Sequence, residues 1–597
     1  MKKKFLQKTI AAALVSAMAI GTLAGCGDTT DPASGSVGSS DNNSSGTGSS
    51  GAGTSSSGAG NSGSTGSSGA ENTGSSAASD NTVAGVEGWT AFDKAVTLKV
   101  PVYDRGREGV PAIGDCYWEK WLQENFGDKY NITMEFVPIP RNAVLENYAL
   151  LASSKQLPTF LMEYDYPKVA QWVADGYMVP YDLEEFAAIA PTYYQRMVDL
   201  NLIKYTTMDD DTYFVLAERP YYNTNYTFAT WYRMDWLEQV GYDHIPATRK
   251  EYLDAMQKII DAGIAEHPGG GSMTSGTPGM DQNYAFREYP TNEEEWAMYG
   301  DYAIPSLGWE PNKRLLKEQN ENFNLGITDP EFFTIDAETA KANFINGKTY
   351  QYSDYISANM TWLSSFYETN PDGKLAVGIQ SLEADTEYGT VPAFRSNLPC
   401  GMMIGFSSQA SENEIKAAMM YMEWMLQEEN LFVMQWGFEN DNFVYGADGM
   451  PTSTDYEAYS GEHKQGFNTN KDYWCVAIEA RNVGTIEDTI KASSPVGLPQ
   501  DFTEDLIQNY YNQVAAWEKG WVPTDCMFAT EIKSVGEYQG DLLTRYAELR
   551  DKLVMCKPEE FDTLYEQYAE EYKKAGYQAI ADERLKAFKD GLTSRQE

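Results

Sequence analysis

Thr97-Leu98-Lys99-Val100-Pro101-Val102-Tyr103, Ile132-Thr133-Met134-Glu135-Phe136-Val137 and Thr159-Phe160-Leu161-Met162 are the runs that decide the fold. Each is short and apolar or alternating, as strands are. Between the first two, after a loop from Asp104 to Asp115, Tyr117, Trp118, Trp121, Leu122 and Phe126 recur at helical spacing. Between the second and third, Ala143 to Ser153 reads as a helix. Strand–helix–strand–helix–strand at this spacing implies right-handed crossovers and a sheet with mostly parallel strands. The expected class is α/β.

Upstream, Lys2, Lys3, Lys4 and Lys8 precede an apolar run from Ile10 to Ala24. That run is shorter than the roughly 20 residues a membrane span needs, so it reads as a secretory signal. It ends in Leu23-Ala24-Gly25-Cys26, which resembles the lipobox of bacterial lipoproteins, where the Cys thiol takes a diacylglycerol thioether. Cys26 is therefore the expected lipidation site, and two acyl chains suffice for stable anchoring. Residues 27–82 contain 31 Gly or Ser and no Lys, Arg or aromatic residue. Such a segment cannot bury enough apolar surface to offset its ordering entropy, and reads as a flexible tether of about 40 Å r.m.s. span.

The chain has 597 residues, 45 Lys+Arg against 87 Asp+Glu, and a net charge of −42. Four lysines in the leader and five acids in the tether nearly cancel, so the acidity belongs to the remainder. A chain this acidic, with no basic run beyond Lys2–Lys4, repels phosphate backbones, which excludes nucleic acid as a partner. His244, His267 and His463 are too few and scattered for a His-built metal site. Five cysteines remain beyond Cys26 (Cys116, Cys400, Cys475, Cys526 and Cys556), an odd number that leaves at least one thiol unpaired; they read as buried thiols, with room for one disulfide.

Further phrases, in order, carry a resemblance. Leu150-Leu151-Ala152-Ser153-Ser154-Lys155-Gln156-Leu157-Pro158-Thr159 precedes the third strand, with Thr159 where an acid is usual. Trp172 to Tyr181, Trp231-Tyr232-Arg233-Met234-Asp235-Trp236-Leu237, Gly326 to Phe333, and Leu549 to Gly576 with Phe588 follow. Together, over roughly residues 95–590, they resemble the extracellular solute-binding lipoproteins of ABC transporters, of the large sugar-binding type. The resemblance implies a two-lobed periplasmic-binding-protein-like (type II) fold, with ligand held in a cleft beside a multi-segment hinge. The implied organisation is a signal peptide (1–25), a lipidated Cys and tether (26–82), first lobe (83–227), second lobe (228–395), a return to the first lobe (396–440), and second lobe plus C-terminal helices (441–597). Crossings are expected near Leu216–Phe228, Val391–Cys400 and Trp436–Pro451. Some relatives carry a calcium loop where this chain has His267-Pro268-Gly269-Gly270-Gly271-Ser272, which lacks oxygen ligands at alternate positions. No metal and no cofactor are expected.

Other signals weaken on inspection. Ala342 to Thr349 fits a loose P-loop pattern, but Phe344 and Ile345 fill the loop where small residues must wrap phosphate. Asp209-Asp210-Asp211 lacks the Gly and distal Glu of a calcium loop and reads as a turn. Carboxylate pairs at glycosidase spacing are unavoidable among so many acids and carry no information, so a binding protein is expected and not an enzyme. Met402, Met403, Met419, Met420, Met422 and Met425 read as core.

Aromatic residues make up 13% of the chain, with 40 Tyr and 14 Trp. Sugar rings offer an apolar face and a fringe of hydroxyls, which aromatic platforms and planar polar groups match. On that chemistry the expected ligand-binding residues are Tyr103, Arg105, Asp165 and Tyr166 from the first lobe. Glu218, Arg219 and Tyr222 come from the hinge, and Trp231, Tyr352, Asp354 and Trp474 from the second lobe. The expected ligand is a neutral oligosaccharide, because the global charge opposes an anionic one; a local basic pocket of Arg105, Arg219 and Arg395 would reverse that. The partners implied are the transmembrane subunits of an ABC permease, with the protein a monomer at the outer face of the cytoplasmic membrane, held only by its lipid. A cell-surface glycan receptor, adhesin or sensor partner is the alternative, since the same head would serve it. The anchor is testable: labelled palmitate should enter the wild type and not Cys26→Ala, which should appear in the medium. Equal labelling of both would exclude lipidation at Cys26.

Overall fold

Val96–Asp104 (β1) and Ile132–Pro140 (β2) pair in parallel along their whole length, Val96 opposite Ile132 and Asp104 opposite Pro140. The computed structural model describes residues 88–104, 111–270, 293–300, 304–356, 362–378, 398–453, 471–493, 500–518 and 526–593. Cys26, the tether and Arg105 lie outside the described residues. The helical turn Tyr117–Leu122 (α1), continued through Asp128–Tyr130, makes the first crossover. Val144–Ser153 (α2) makes the second and leads into Phe160–Glu163 (β3).

Thr159 joins β1 to β3. Its N–H donates to the Lys99 carbonyl, and its hydroxyl accepts from the Lys99 N–H, both at 2.9 Å. Farther along, the Tyr103 hydroxyl donates to the Met162 carbonyl, so the two strands advance in the same direction. Cys400–Phe406 (β8) then lies antiparallel between β3 and Phe214–Glu218 (β4). The first lobe therefore holds a parallel pair, β2-β1, and an antiparallel trio, β3-β8-β4, joined edge to edge by the bonds of Thr159 and Tyr103. The expected parallel pairing holds for β1 and β2, whereas β3 pairs antiparallel with β8, a strand supplied from more than two hundred residues away. Trp118, Trp121 and Phe126 of the α1 region pack on Tyr421, Trp424 and Phe438. The six methionines read as core are buried here with them. Full burial of each such side chain contributes about 1.5–3 kcal/mol.

The second-lobe sheet is built on Phe228–Arg233 (β5), which pairs antiparallel with both Gln351–Tyr355 (β6) and Leu375–Gly378 (β7). Ala337–Ile345 (α3) and Trp362–Thr369 (α4) pack on it through Phe344, Trp362 and Phe366. Gly347, with φ of +67°, closes α3, so the tempting P-loop phrase ends a helix instead of opening one. Asp209 and Asp210, at φ of +50° and +70°, form the two-residue turn between Thr207–Met208 and Asp211–Thr212, as a hairpin of that length requires. Thr503–Glu518 (α5) packs on the same second-lobe core. Lys533–Met555 (α6), Pro558–Tyr572 (α7) and Gln578–Lys589 (α8) form a separate core with Ile304, Leu307 and Leu316.

Three segments meet at Glu218. It pairs with Cys400 in the ladder, its N–H donates to the Ala477 carbonyl, and its carbonyl accepts from the Glu479 N–H at 2.9 Å. The third of these segments differs from the expected Trp436–Pro451. That stretch holds turn signals because it makes a hairpin, Phe443–Tyr445 with Pro451–Ser453. Tyr473, Trp474, Val476 and Ile478 belong to the same core cluster as β1 and β3. The five cysteines beyond Cys26 are free thiols, four of them buried.

The β1–β3 seam can be tested at Thr159, which is 3% exposed. Thr159→Val keeps the shape but strips the Lys99 N–H of its acceptor, and should lower stability by about 1–3 kcal/mol in urea titration. Thr159→Ser should restore most of it.

Candidate functional site

In a sheet of this kind ligands meet the carboxyl ends of the strands. In the first lobe these ends are Asp104, Arg141 just beyond β2, Glu163 and Glu218. Glu163 is fully buried, and Arg141 donates to it at 2.6 Å. The Arg141 guanidinium also sits 4.5 Å over the Tyr103 ring and 5.9 Å from that of Tyr164. Burial opposes the charge on Arg141, but the Glu163 carboxylate outweighs it and raises the guanidinium's pKa. Lys168 bridges Asp165 at 2.8 Å and reaches Glu163 at 3.6 Å. Lys471, from the third segment, lies 5.7 Å from the Tyr164 ring.

At the crossing, Arg196 holds Glu218 at 2.5 Å, and Arg219 donates to Glu479. Gly401 makes room for that pair, because a Cβ there would stand 2.8 Å from the Glu479 Cβ. Beside it, burial pushes the Cys400 thiol up to about 12, against the lowering effect of Arg219.

In the second lobe, β6 ends opposite Phe228 and β7 opposite Thr230, near where β5 leaves the crossing, so this edge adjoins the hinge. Strand alternation divides its residues. Trp231 and Tyr352 share the inner face with Phe344 and Trp362. Phe228 and Tyr355, edge to face at 4.7 Å, share the outer face with the hydrogen-bonded hydroxyls of Thr230 and Ser353. Asp354 is half-buried at the strand end and accepts from Tyr352 at 3.1 Å and from the Tyr355 N–H at 2.8 Å.

The sequence-predicted residues divide accordingly. Asp165, Glu218, Arg219, Tyr222 and Asp354 lie at the strand edges or the crossing, with Tyr222 half-buried against Trp517. Four aromatics expected to stack on sugar faces are core residues. Tyr103 and Tyr166 are buried, with hydroxyls donated to the carbonyls of Met162 and Phe528. Trp231 is 0% exposed in the second-lobe core. Trp474 is 1% exposed and packs in the first lobe, not the second. Tyr352 is half-buried between Phe344 and Trp362. The sequence reading missed Arg141, Glu163, Glu479, Phe228 and Tyr355. Glu163 lies two residues before the expected Asp165, and Arg141 follows a recognised strand, so both were within reach. Glu479 had no local signal. The place of the calcium loop is taken by a backbone contact, with His267 Nδ1 2.8 Å from the Gly326 carbonyl and the Gly269 N–H donating to Ile327.

With two strand edges and a stitched crossing in view, residues 117–431 match the bacterial extracellular solute-binding protein family. The chain belongs to that family. No curated protein matches the sequence. Solved structures that it resembles include the alginate-binding protein AlgQ2 without calcium ion, at 17% identity and TM-score 0.56, covering 84% of this chain and 99% of that one. An HMO-binding, ABC-transporter-associated solute-binding protein from Bifidobacterium longum infantis follows at 11% and 0.56, covering 83% and 99%. The Streptococcus pneumoniae ABC-transporter substrate-binding protein FusA, in complex with kestose, stands at 13% and 0.54, covering 83% and 99%. At these identities the likeness is one of fold, the two-lobed solute-binding fold. Among the described residues no helix is long and apolar enough to cross a membrane.

Arg141→Met leaves buried Glu163 without its nearest partner, and should cost roughly 3–5 kcal/mol in urea titration. Arg141→Met with Glu163→Leu should recover most of that loss. Failure of the double variant to recover would mean the pair contributes more than mutual neutralisation.

Proposed function

We propose that this solute-binding protein captures an uncharged oligosaccharide between its two strand edges and delivers it to the transmembrane subunits of an ABC permease, tethered through Cys26. One observation carries the ligand class: the cations at the first-lobe edge and the crossing face carboxylates. Arg141 meets Glu163, Lys168 meets Asp165, Arg196 meets Glu218 and Arg219 meets Glu479. An anionic ligand would have to displace a carboxylate from its partner in a head that is already strongly acidic. A neutral glycan asks only for hydroxyl partners, which Asp165, Glu218, Arg219 and Asp354 supply, while Tyr222, Phe228 and Tyr355 offer apolar edges. Its binding across both lobes favours the form in which both contribute contacts. The relatives named for or crystallised with saccharides support the saccharide part of this reading, and their association with ABC transporters supports delivery. The preference for an uncharged ligand rests on the ion pairs alone, since alginate is anionic.

Calorimetry with neutral and uronate oligosaccharides decides the ligand class. Neutral oligomers should bind more tightly, and Asp354→Ala should weaken them roughly 5- to 150-fold, the cost of one unpaired hydroxyl partner. A uronate oligomer bound more tightly than every neutral one would overturn the proposal.

A further inference from the structure

Away from the crossing, the stretch Cys526–Thr530 makes a second connection between the lobes. Its side chains alternate between two bodies. Met527 is buried in the first-lobe core, while Cys526 and Phe528 are buried against Trp296, Ala297 and Ala587. Its backbone divides in the same way. The Ala529 N–H donates to the Leu592 carbonyl just past α8, and the Ala529 carbonyl accepts from the Asp209 N–H, both at 2.9 Å. Also on the first-lobe side, the Tyr166 hydroxyl donates to the Phe528 carbonyl, and the Thr530 hydroxyl to the Asp209 carboxylate at 2.7 Å.

The C-terminal helices on the other side are fixed to the second lobe. Asn320, in the helix Glu310–Asn324, donates to the carbonyls of Leu553 and Val554 in α6. At the end of that helix Glu321 and Asn322 accept from Arg249 at 2.9 and 2.7 Å. Arg249 opens the helix Arg249–Asp261, whose Met256 and Ile259 share a core with Tyr232 of β5 and Tyr350. The strap also stands off the hinge. Tyr166 meets Phe214, at the opposite end of β4 from Glu218, a lever arm of about 13 Å at the usual strand rise. A lobe rotation of about 15° displaces a contact at that distance by about 3 Å, enough to break hydrogen bonds. Rotation about the Glu218 crossing therefore requires the strap to let go of one lobe. Asp209 is exposed, so water takes over its bonds on release, and Met527 is the one large apolar side chain the strap would withdraw from the first lobe.

We infer that Met527–Thr530 is a clasp: engaged on Tyr166 and Asp209 it holds the lobes together, and it releases when they part. Tyr166 directly follows Asp165 at the first-lobe strand edge, so clasp and ligand act on neighbouring residues. A ligand that bridges the lobes favours the engaged clasp, and the engaged clasp favours ligand by the same factor. That link to ligand rests on the two-lobed binding reading above; the clasp itself rests on the contacts of the strap.

The test measures the distance between the lobes in the full chain without ligand, by pulsed electron resonance between non-thiol spin labels at Leu150 and Leu325. These positions are exposed, one on each lobe. Tyr166→Phe with Thr530→Val removes two clasp hydroxyls and should move the balance towards the parted form by roughly 5- to 150-fold. The mean distance should then lengthen by about 3 Å or more. Asp209→Cys with Thr530→Cys, bridged by a short bifunctional thiosulfonate, should lose the long-distance population and regain it on reduction. Wild type given the same reagent should not change. A wild type resting wholly in one form still leaves one of the two variants able to move it. If both variants melt as folded proteins and keep the wild-type distances, the strap is a fixed joint and the clasp is wrong. No ligand enters the measurement, so that result would leave the oligosaccharide reading standing.

Discussion

The peptide of Glu218 is shared by three stretches of chain. Its N–H and carbonyl are committed to Ala477 and Glu479, and its ladder position to Cys400. A buried backbone group left unpaired costs free energy, so these bonds hold the segments in one register. Each segment carries a strand or a core cluster from one lobe towards the other, and what sits beside Glu218 follows from that register. The Arg219–Glu479 pair and the space left by Gly401 both depend on segments about 180 to 260 residues apart meeting at this point.

Charge acts at two scales. Over the whole chain the excess of acids is large, and it bears on solubility and on which partners approach. At the first-lobe edge and the crossing, Glu163, Asp165, Glu218 and Glu479 each have a cation against them. Glu163 could not be fully buried without Arg141. The pairing thus serves the core, and the proposed preference for an uncharged ligand rests on the same contacts.

The aromatic residues divide between core and site by strand alternation and burial. Trp231 and Phe228 are three residues apart on one strand, yet one is sealed under Trp362 and the other stands at the outer face beside Tyr355. Likewise Tyr166 and Tyr164 flank Asp165, but Tyr166 donates its hydroxyl into the core at Phe528. Local composition singled out these clusters. It could not say which member of each cluster turned outward, because a two-residue period leaves that choice to whichever face the rest of the chain covers.

Sequence by itself determined the elements that depend on short-range periodicity: β1, β2 and β3, the helices between them, the turn at Asp209-Asp210, the methionine core and the family phrases. These follow from spacing and local sterics, which are complete within a dozen residues. Tertiary structure decided the rest. It placed β8 backwards between β3 and β4, brought Ala477 and Glu479 to the Glu218 peptide, packed Trp474 in the core of β1 and β3, and set Glu479 against Arg219. Those outcomes depend on contacts between segments hundreds of residues apart, where burial and charge pairing choose among partners that no local pattern distinguishes.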